Sequence, residues 1–286
     1  MGNNLEIIMK SKTLQYILII LTITAVAGSY FYHQSRAAMT VNKSGLTSVK
    51  LNTAGLTSVK INASQANKLT SGLIGYWTFD GQDTSWTSAT AGTTADKSPV
   101  GTNTGTFANM SQSTSPAIGK VGQGMYFDGS DDYVTIPNST SLNTINGTDK
   151  ISIAMWVKYN PGYTPYEGIL FRGYTWEFRR QGETNLTWWL KIEGTWPKGG
   201  GVNTITTNQW HHIVGTYNGS QMIVYVDGNN GTVVSTVSGN ISATTASLFL
   251  GSEGSSNFFD GSIDEVRVYN RALSQSEITE LYNLGN

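Results

Sequence analysis

The sequence contains no cysteine and few charged residues. Of its 286 residues, 18 are Lys or Arg and 19 are Asp or Glu, which gives a formal net charge of −1. Without cysteine, the chain has no disulfide framework and no thiolate metal site. A nearly neutral chain also gives no indication of a surface for nucleic acid. We therefore expect neither disulfides nor a nucleic-acid partner.

The motifs of common hydrolases are missing as well. The only histidines are His33, His211 and His212, and no Gly-x-Ser-x-Gly or His-Glu-x-x-His pattern accompanies them. His33 adjoins an apolar segment. Next to Trp210, one of the paired histidines should face inward and the other outward, as hydrogen-bonded structural residues. The sequence predicts a protein that is not an enzyme.

Glycine, serine, threonine and asparagine are abundant instead, with 32 glycines alone. This composition favours many short strands joined by tight turns. Residues 151–157 alternate strictly and predict a core strand, and Trp156 on its other face must be covered or line a groove. Two hairpins are predicted, one over residues 124–137 and one around Asn218-Gly219.

The amino-terminal part carries an export signal of one of two kinds. Residues 14–32 are apolar and uncharged, and this run is just long enough to cross a bilayer as a helix. Residues 1–38 are either a signal anchor that keeps this hydrophobic helix or a signal peptide cleaved after Ala25-Val26-Ala27. Either alternative places the rest of the chain outside the cytoplasm, at the cell surface or secreted.

Residues 39–71 differ in composition from the rest of the chain. They are rich in Ser, Thr, Asn, Lys and Gly, and the stretch 45–52 recurs almost unchanged at 55–62. Two copies of a ten-residue repeat are too few for a solenoid. The segment is a stalk that holds the following domain away from the membrane, or a flexible linker.

The stretch from Gly261 to Ser274 predicts a strand followed by a helix. Alternation puts Asp264 on the same face as Val266 and Val268, and this small apolar face is expected to be buried. A buried carboxylate needs either hydrogen-bond donors or a cation. The helix begins with the spacing of a capping box, with Ser274 as its N-cap.

Residues 159–198 combine many aromatic rings with interleaved arginines. Alternate residues from Tyr174 to Phe178 are predicted to share a face. Trp189 lies opposite an expected core face, and Trp196 lies in a segment rich in Gly and Pro, so these two rings are the best candidates for exposure. Sugar sites combine flat apolar surfaces with a few directed polar groups. The candidate ligand-binding residues are Arg172, Trp176, Arg179, Trp189 and Trp196.

Five stretches in the second part of the chain form a set of motifs, namely Gly75–Asp80, Gly124–Gly129, Trp210–Val214, Val224–Gly228 and Gly261–Ser274. Together these stretches resemble the laminin-G-like, concanavalin A-like lectin/glucanase superfamily, in particular its LamG-like jelly-roll branch. The resemblance implies an all-β fold over residues 72–286, a two-sheet antiparallel jelly-roll sandwich with adjacent first and last strands and a short C-terminal helix. The many short strands predicted above agree with such a sandwich.

The resemblance also implies frequent binding of carbohydrate or protein ligands, and often a structural calcium ion. Calcium needs oxygen ligands that converge from separate loops. Asp80 and Asp264 are the candidate metal ligands, because adjacent antiparallel strands bring their ends together. The turn with Asp128, Asp131 and Asp132 is a second acidic site, which is otherwise a solvated turn.

Hydrolytic members of this superfamily that resemble laminarinases carry two catalytic carboxylates as Glu-x-Asp-x-x-Glu, and this pattern is missing here. We therefore expect a non-catalytic extracellular binding module tethered to the cell surface, with a glycan as its ligand. The alternatives are a structural or adhesion protein that binds a protein partner and a glycan hydrolase.

Overall fold

The computed structural model describes residues 4–7, 49–52, 68–162 and 165–286, without the side chains of residues 4–7, 49–52, 197 and 198. The chain divides into two units, residues 1–62 and 63–286. The description of the first unit covers one antiparallel pair, β1 (Asn4–Ile7) with β2 (Val49–Asn52). The expected hydrophobic helix at residues 14–32 and the second repeat copy lie outside the described residues. Within those residues, no helix is both long and apolar enough to span a membrane.

The described part of the second unit contains two antiparallel sheets, and an α-helix follows the last strand. The strands of sheet I are β3 (Leu73–Trp77), β7 (Pro116–Ile118), β8 (Gln123–Asp128), β10 (Ile151–Tyr159), β15 (Trp210–Tyr217), β16 (Gln221–Val226), β17 (Thr232–Thr236) and β19 (Asp260–Tyr269). The strands of sheet II are β4 (Thr84–Trp86), β5 (Gly92–Thr94), β6 (Gly105–Ala108), β9 (Tyr133–Ile136), β11 (Glu167–Arg172), β12 (Trp176–Arg180), β13 (Asn185–Ile192), β14 (Thr195–Asn203) and β18 (Leu248–Leu250). The α-helix, α1, spans Gln275–Leu284, and a short 3-10 helix spans Leu142–Ile145.

The strand order explains how the ends of the sandwich meet. Sheet I runs β17-β16-β15-β10-β19-β8-β7, and β3 also pairs with β19; sheet II runs β14-β13-β12-β11-β18-β9-β6-β5-β4. β19 pairs with β10 along one side, and its other side is shared by β8 and β3. Trp77 of β3 lies directly opposite Val266 of β19. The predicted adjacency of the first and last strands of the sandwich is therefore confirmed.

A β-bulge corrects the predicted side-chain orientation in β19. Glu265 has φ 54°, and the register with β10 shifts at this point. Before the bulge, Ile263 contributes to the core between the sheets; after it, Val266 and Val268 do so. Asp264 pairs with Trp156, so the two side chains lie on the outer face of sheet I. The prediction that Asp264 shares a face with Val266 was wrong, because a bulge inserts one residue and reverses the alternation.

The predicted hairpin over residues 124–137 is also wrong. β8 belongs to sheet I and β9 to sheet II, so the chain crosses between the sheets at this turn. The apolar side chains of both strands face the same core. Alternation alone cannot tell two paired strands from two strands that face each other across a sandwich. The other predicted hairpin, at Asn218-Gly219, does form, between β15 and β16.

Helix α1 covers the outer face of sheet I. Ser274 caps it, and the complete capping box with Glu277 is present as predicted. Ile278 and Leu281 pack in a second apolar cluster with residues of sheet I. Trp156 is 2% exposed and stacks on Tyr282 of the helix, with 5.6 Å between the ring centroids. The outward tryptophan of β10 is thus a packing residue.

Candidate ligand-binding site

The outer face of sheet II presents a cross-strand row of large side chains. In β13, Leu186, Trp188 and Leu190 face the core, as predicted, and Trp189 faces outward and is partly exposed. Trp189 is the direct partner of Glu177 in β12, and Glu177 is the direct partner of Phe171 in β11. Because paired residues project to the same side of a sheet, the Trp189 and Phe171 rings flank the Glu177 carboxylate.

We use the name aromatic patch for a set of outward-facing rings at this end of sheet II, namely Tyr166, Phe171, Tyr174, Trp189 and Trp196. Tyr174 is 56% exposed and Tyr166 is 45% exposed, whereas Phe171 is nearly buried. The Tyr174 ring meets Phe171 and Trp196 edge to face, with centroid separations of 4.9 and 6.2 Å. These contacts join Phe171, Tyr174 and Trp196 into one aromatic surface, in which Tyr174 is the most exposed ring.

The structure corrects two local predictions about the rings in this patch. Trp176 and Phe178 face the core, but Tyr174 precedes β12 and lies outside the strand, so the three residues do not share a face. Trp196 lies in strand β14 and not in a loop. Both errors arise at strand ends, where alternation stops applying.

A charged cluster lies beside the patch. Arg179 Nε forms ion pairs with Glu177 Oε1 and with Glu253 Oε1, the latter at 2.7 Å. The Glu177 side chain is fully buried and that of Glu253 is 4% exposed. Burial first, and the charge of Glu253 second, raise the pKa of Glu177 to about 8. The Tyr166 ring lies 5.2 Å from the Arg179 guanidinium carbon.

Arg172 and Trp176, two of the five predicted ligand-binding residues, are fully buried. Arg172 donates hydrogen bonds to Leu142 O (3.0 Å), Asn138 Oδ1 (3.0 Å) and Asn143 Oδ1. Its Nε also donates to Ala246 O at 3.2 Å. The arginine therefore fastens surrounding loops to the core side of sheet II. Neither side chain is placed to contact a ligand at the surface, because the strand turns both toward the core.

Asp80 and Asp264 hold the same loop from two sides. Asp264 Oδ2 accepts hydrogen bonds from Lys120 N (2.8 Å) and Val121 N (2.9 Å), and Asp80 Oδ1 accepts one from Gln123 N (2.9 Å). Burial raises the pKa of Asp264 to about 7, although the two N–H donors oppose this effect. The loop donors that the sequence left as an alternative for Asp264 are therefore present, while a metal ion at these two residues stays a prediction.

The acidic turn between β8 and β9 brings three carboxylates together. Ligand oxygens of Asp128, Asp131 and Asp132 lie within 4.8 Å of one another. Asp132 is 4% exposed, and burial followed by the neighbouring charges raises its pKa to about 7. A cavity of about 200 Å³ adjoins the turn and is lined by Asp128, Glu167 and Asp260 among others. This group has the oxygen donors that a hard cation requires.

The paired histidines lie on opposite faces of β15, as predicted. His211 Nδ1 lies 2.7 Å from Asp227 Oδ2, and His211 Nε2 accepts a hydrogen bond from Thr206 N at 3.1 Å. An Nε2 that accepts from a backbone N–H leaves the proton on Nδ1, where it is donated to Asp227. His212 is buried against Trp156, and burial lowers its pKa to about 3. Both rings thus have structural contacts.

Sequence analysis did not find Glu253 or the roles of Tyr166 and Phe171. Glu253 lies in a turn rich in Gly and Ser that follows β18, and the pairing of β18 with β11 brings this turn next to Gly168, the cross-strand partner of Arg179. Its contact with Arg179 joins residues that are far apart in the sequence. No local pattern marks such a pair. The exposure of Tyr166 and Tyr174 likewise depends on strand ends that alternation does not locate.

Comparison with solved structures supports the same fold at low sequence identity. The chain is similar to domain 4 of AbnA, a GH43 extracellular arabinanase from Geobacillus stearothermophilus solved with arabinotriose, with 21% identity and a TM-score of 0.52, covering 73% of this chain and 98% of that one. It is also similar to the botulinum neurotoxin serotype D binding domain, with 13% identity, a TM-score of 0.59, and coverage of 77% and 52%.

A third similar structure is the Trypanosoma rangeli sialidase, with 17% identity and a TM-score of 0.53. The match covers 80% of this chain and 35% of the sialidase chain. The chain thus spans about half of the toxin binding domain and about a third of the sialidase. No curated protein matches the sequence. The family model of the concanavalin A-like lectin/glucanases superfamily matches residues 128–279, more than half of the chain. Together with the two antiparallel sheets, this match shows that the chain belongs to the concanavalin A-like lectin/glucanase superfamily.

Proposed function

We propose that this protein is a non-catalytic extracellular binding module, tethered to the cell surface, whose aromatic patch binds a glycan. The observation that carries the proposal is the partly exposed Trp189, which lies on the outer face of sheet II directly opposite Glu177, the ion-pair partner of Arg179. Aromatic faces offer a flat apolar surface to the C–H groups of a sugar ring, and nearby polar groups orient its hydroxyls. The patch provides both kinds of group on a rigid sheet.

The geometry of the carboxylates supports a binding role over catalysis. Glu177 and Glu253 both contact Arg179, so their carboxylates lie close together, as a retaining glycosidase would require. However, Glu177 is fully buried and Glu253 is 4% exposed at the side chain. A general acid or nucleophile must reach the glycosidic bond, and groups this deeply buried do not.

The similar structures support the proposal only at the level of fold. One is a domain solved with arabinotriose, and another is the binding domain of a toxin. A protein partner is the alternative ligand. A protein ligand would use the same exposed rings, because tyrosine and tryptophan are enriched where proteins meet. The first experiment must therefore separate these two ligands.

The test is a glycan array probed with the full-length chain, followed by titration of the bound glycan against Trp189→Ala. We expect a loss of about 2 kcal/mol in binding, or roughly 30-fold in affinity, with a melting temperature close to that of the wild type. Val233→Ala is the matched control, since Val233 is 48% exposed on sheet I and lies outside the patch. Unchanged affinity in Trp189→Ala would remove this residue from the site, and no bound glycan would favour the protein ligand.

We further propose that the acidic turn binds a structural calcium ion. Asp128, Asp131 and Asp132 offer converging carboxylate oxygens, and a cation would compensate the charge of the nearly buried Asp132. Calcium at 100 times its dissociation constant would add about 2.7 kcal/mol to the stability of the folded state. We expect calcium to raise the melting temperature of the wild type and of Asp264→Asn, but not of Asp132→Asn. The reverse pattern would place the ion at Asp80 and Asp264.

A further inference from the structure

In the candidate site, carboxylates of the same protein compensate the positive charge of Arg179. Arg179 is the direct neighbour of the patch, and both of its ion pairs, to Glu177 and Glu253, involve Nε. Its side chain keeps 17% of its surface exposed, while the two carboxylates are almost completely covered. Asn257 Nδ2 donates a hydrogen bond to Glu253 Oε2 at 2.8 Å and holds that carboxylate in place. The exposed part of the cluster therefore belongs to Arg179, and the carboxylates that balance its charge are buried.

The net charge of this cluster is close to zero at neutral pH. The raised pKa of Glu177, about 8, means that its carboxyl is mostly protonated at pH 7. Arg179 then carries one positive charge and Glu253 one negative charge. Ionisation of Glu177 at higher pH adds a negative charge. In neither state does the cluster present an uncompensated cation to a ligand.

From this arrangement we infer that the site selects neutral glycans and discriminates against glycans that carry carboxylate or sulfate groups. The inference rests on the proposed glycan-binding function and specifies its ligand class. Arg179 acts as a hydrogen-bond donor to sugar hydroxyls, while Trp189 and Trp196 supply the stacking surface. A site built for acidic glycans would instead leave the charge of its arginine uncompensated by carboxylates of its own protein.

Binding of an acidic sugar at the aromatic patch would carry two free-energy penalties. Its carboxylate would lose hydration on the aromatic surface, and its charge would lie near the Glu253 carboxylate, which shares the same arginine. A sugar hydroxyl in the same position loses little hydration and accepts a hydrogen bond from the guanidinium. Lys191 is the other cation on this face of β13, two residues beyond Trp189, and it forms no ion pair with the described residues. It therefore has to be tested separately from Arg179.

The experiment uses an array of neutral oligosaccharides, namely cellohexaose, mannohexaose and β-1,4-galactohexaose, each paired with forms of the same chain oxidised or sulfated at C6. These pairs share ring stereochemistry and linkage and differ only in the charged group. For the full-length wild type at pH 7 and low salt, we expect each acidic form to bind at least 10-fold more weakly than its neutral parent. The difference should shrink as salt is added, because salt screens the repulsion.

Two variants assign the discrimination to the cluster. The double variant Glu177→Gln/Glu253→Gln leaves Arg179 uncompensated, and we expect the preference for neutral forms to fall to less than about 3-fold. Lys191→Gln keeps the cluster intact and should leave the ratio of neutral to acidic affinities unchanged. If the double variant does not fold, the wild-type ratios remain a sufficient test.

The outcomes separate this inference from the proposed function. Acidic forms that bind the wild type as tightly as their neutral parents, or more tightly, would overturn the preference and leave glycan binding intact. A change of ratio in Lys191→Gln as large as that in the double variant would overturn the role given to Arg179. An array on which no oligosaccharide of either kind binds would contradict the proposed function, and the ligand class with it.

Discussion

Replacement of Arg172 by Met gives the sharpest test of the division between buried and binding residues. The guanidinium is fully buried and holds two backbone carbonyls and two asparagine side chains. Loss of a donor to the buried Leu142 O costs about 1–3 kcal/mol, and each partly buried bond costs about 0.5–1.5 kcal/mol more. Removal of a buried cation that has no ion-pair partner among the described residues offsets part of this loss. We expect Arg172→Met to lower the free energy of unfolding by about 3 kcal/mol.

For a domain of this size, such a loss corresponds to a fall in melting temperature of roughly 6–12 °C. Calorimetry and urea unfolding at pH 7 measure it. Glycan affinity, measured at a temperature where the variant is still folded, should change by less than about 3-fold, because the side chain does not reach the surface. A variant that melts like the wild type but no longer binds glycan would show that Arg172 is a ligand contact and would refute the structural role given to it.

Two further variants test the backbone and the helix cap. Gly251 has φ +81°, and a Cβ there would lie 2.2 Å from the Phe127 ring, so Gly251→Ala should lower the free energy of unfolding by more than about 3 kcal/mol. Gly254 has φ +89° with open space around it, so Gly254→Ala should lower the free energy of unfolding by about 1 kcal/mol. Equal losses in urea unfolding would contradict this steric argument. Burial alone would raise the pKa of Glu277, but hydrogen bonds from Arg271 and from the N-cap outweigh it and lower the pKa to about 2. The ionised Glu277 therefore stabilises the folded state fully above pH 4.5, and this contribution is lost as the pH falls toward 2. Glu277→Gln should weaken this dependence of the free energy of unfolding on pH.

The sequence was sufficient to predict the sandwich, because its main elements have strong local signals. Strand β10 alternates strictly, the Asn-Gly turn marks one hairpin, and the capping box marks the start of α1. The adjacency of β3 and β19 came from the resemblance to a known family, and the pairing of Trp77 with Val266 confirms it. These features depend on side chains close together in the sequence or on motifs that recur as a set.

The wrong predictions concern features that depend on how a strand pairs with its neighbours in the sheet. The bulge at Glu265 reverses the faces of β19, and nothing in the local sequence announces a residue with φ 54° at a glutamate. In β11 and β12 nearly every residue is buried, so hydrophobicity does not separate the core face from the outer one. Residue type alone makes Arg172 and Trp176 candidates for the ligand site, whereas both are buried in the structure.

Trp156 and Trp189 show what decides between a packing residue and a candidate binding residue in this fold. Alternation puts both tryptophans on the outer face of a sheet, and in both cases the structure agrees. Helix α1 then covers Trp156, whose ring stacks on Tyr282, whereas Trp189 remains partly exposed beside Glu177. An outward tryptophan left uncovered on a rigid sheet keeps apolar area in contact with water, and a ligand that covers it gains that area in binding. The outer faces of the two sheets therefore differ at these positions, since helix α1 covers Trp156 on sheet I, whereas Trp189 on sheet II stays partly exposed, as the proposed glycan site requires.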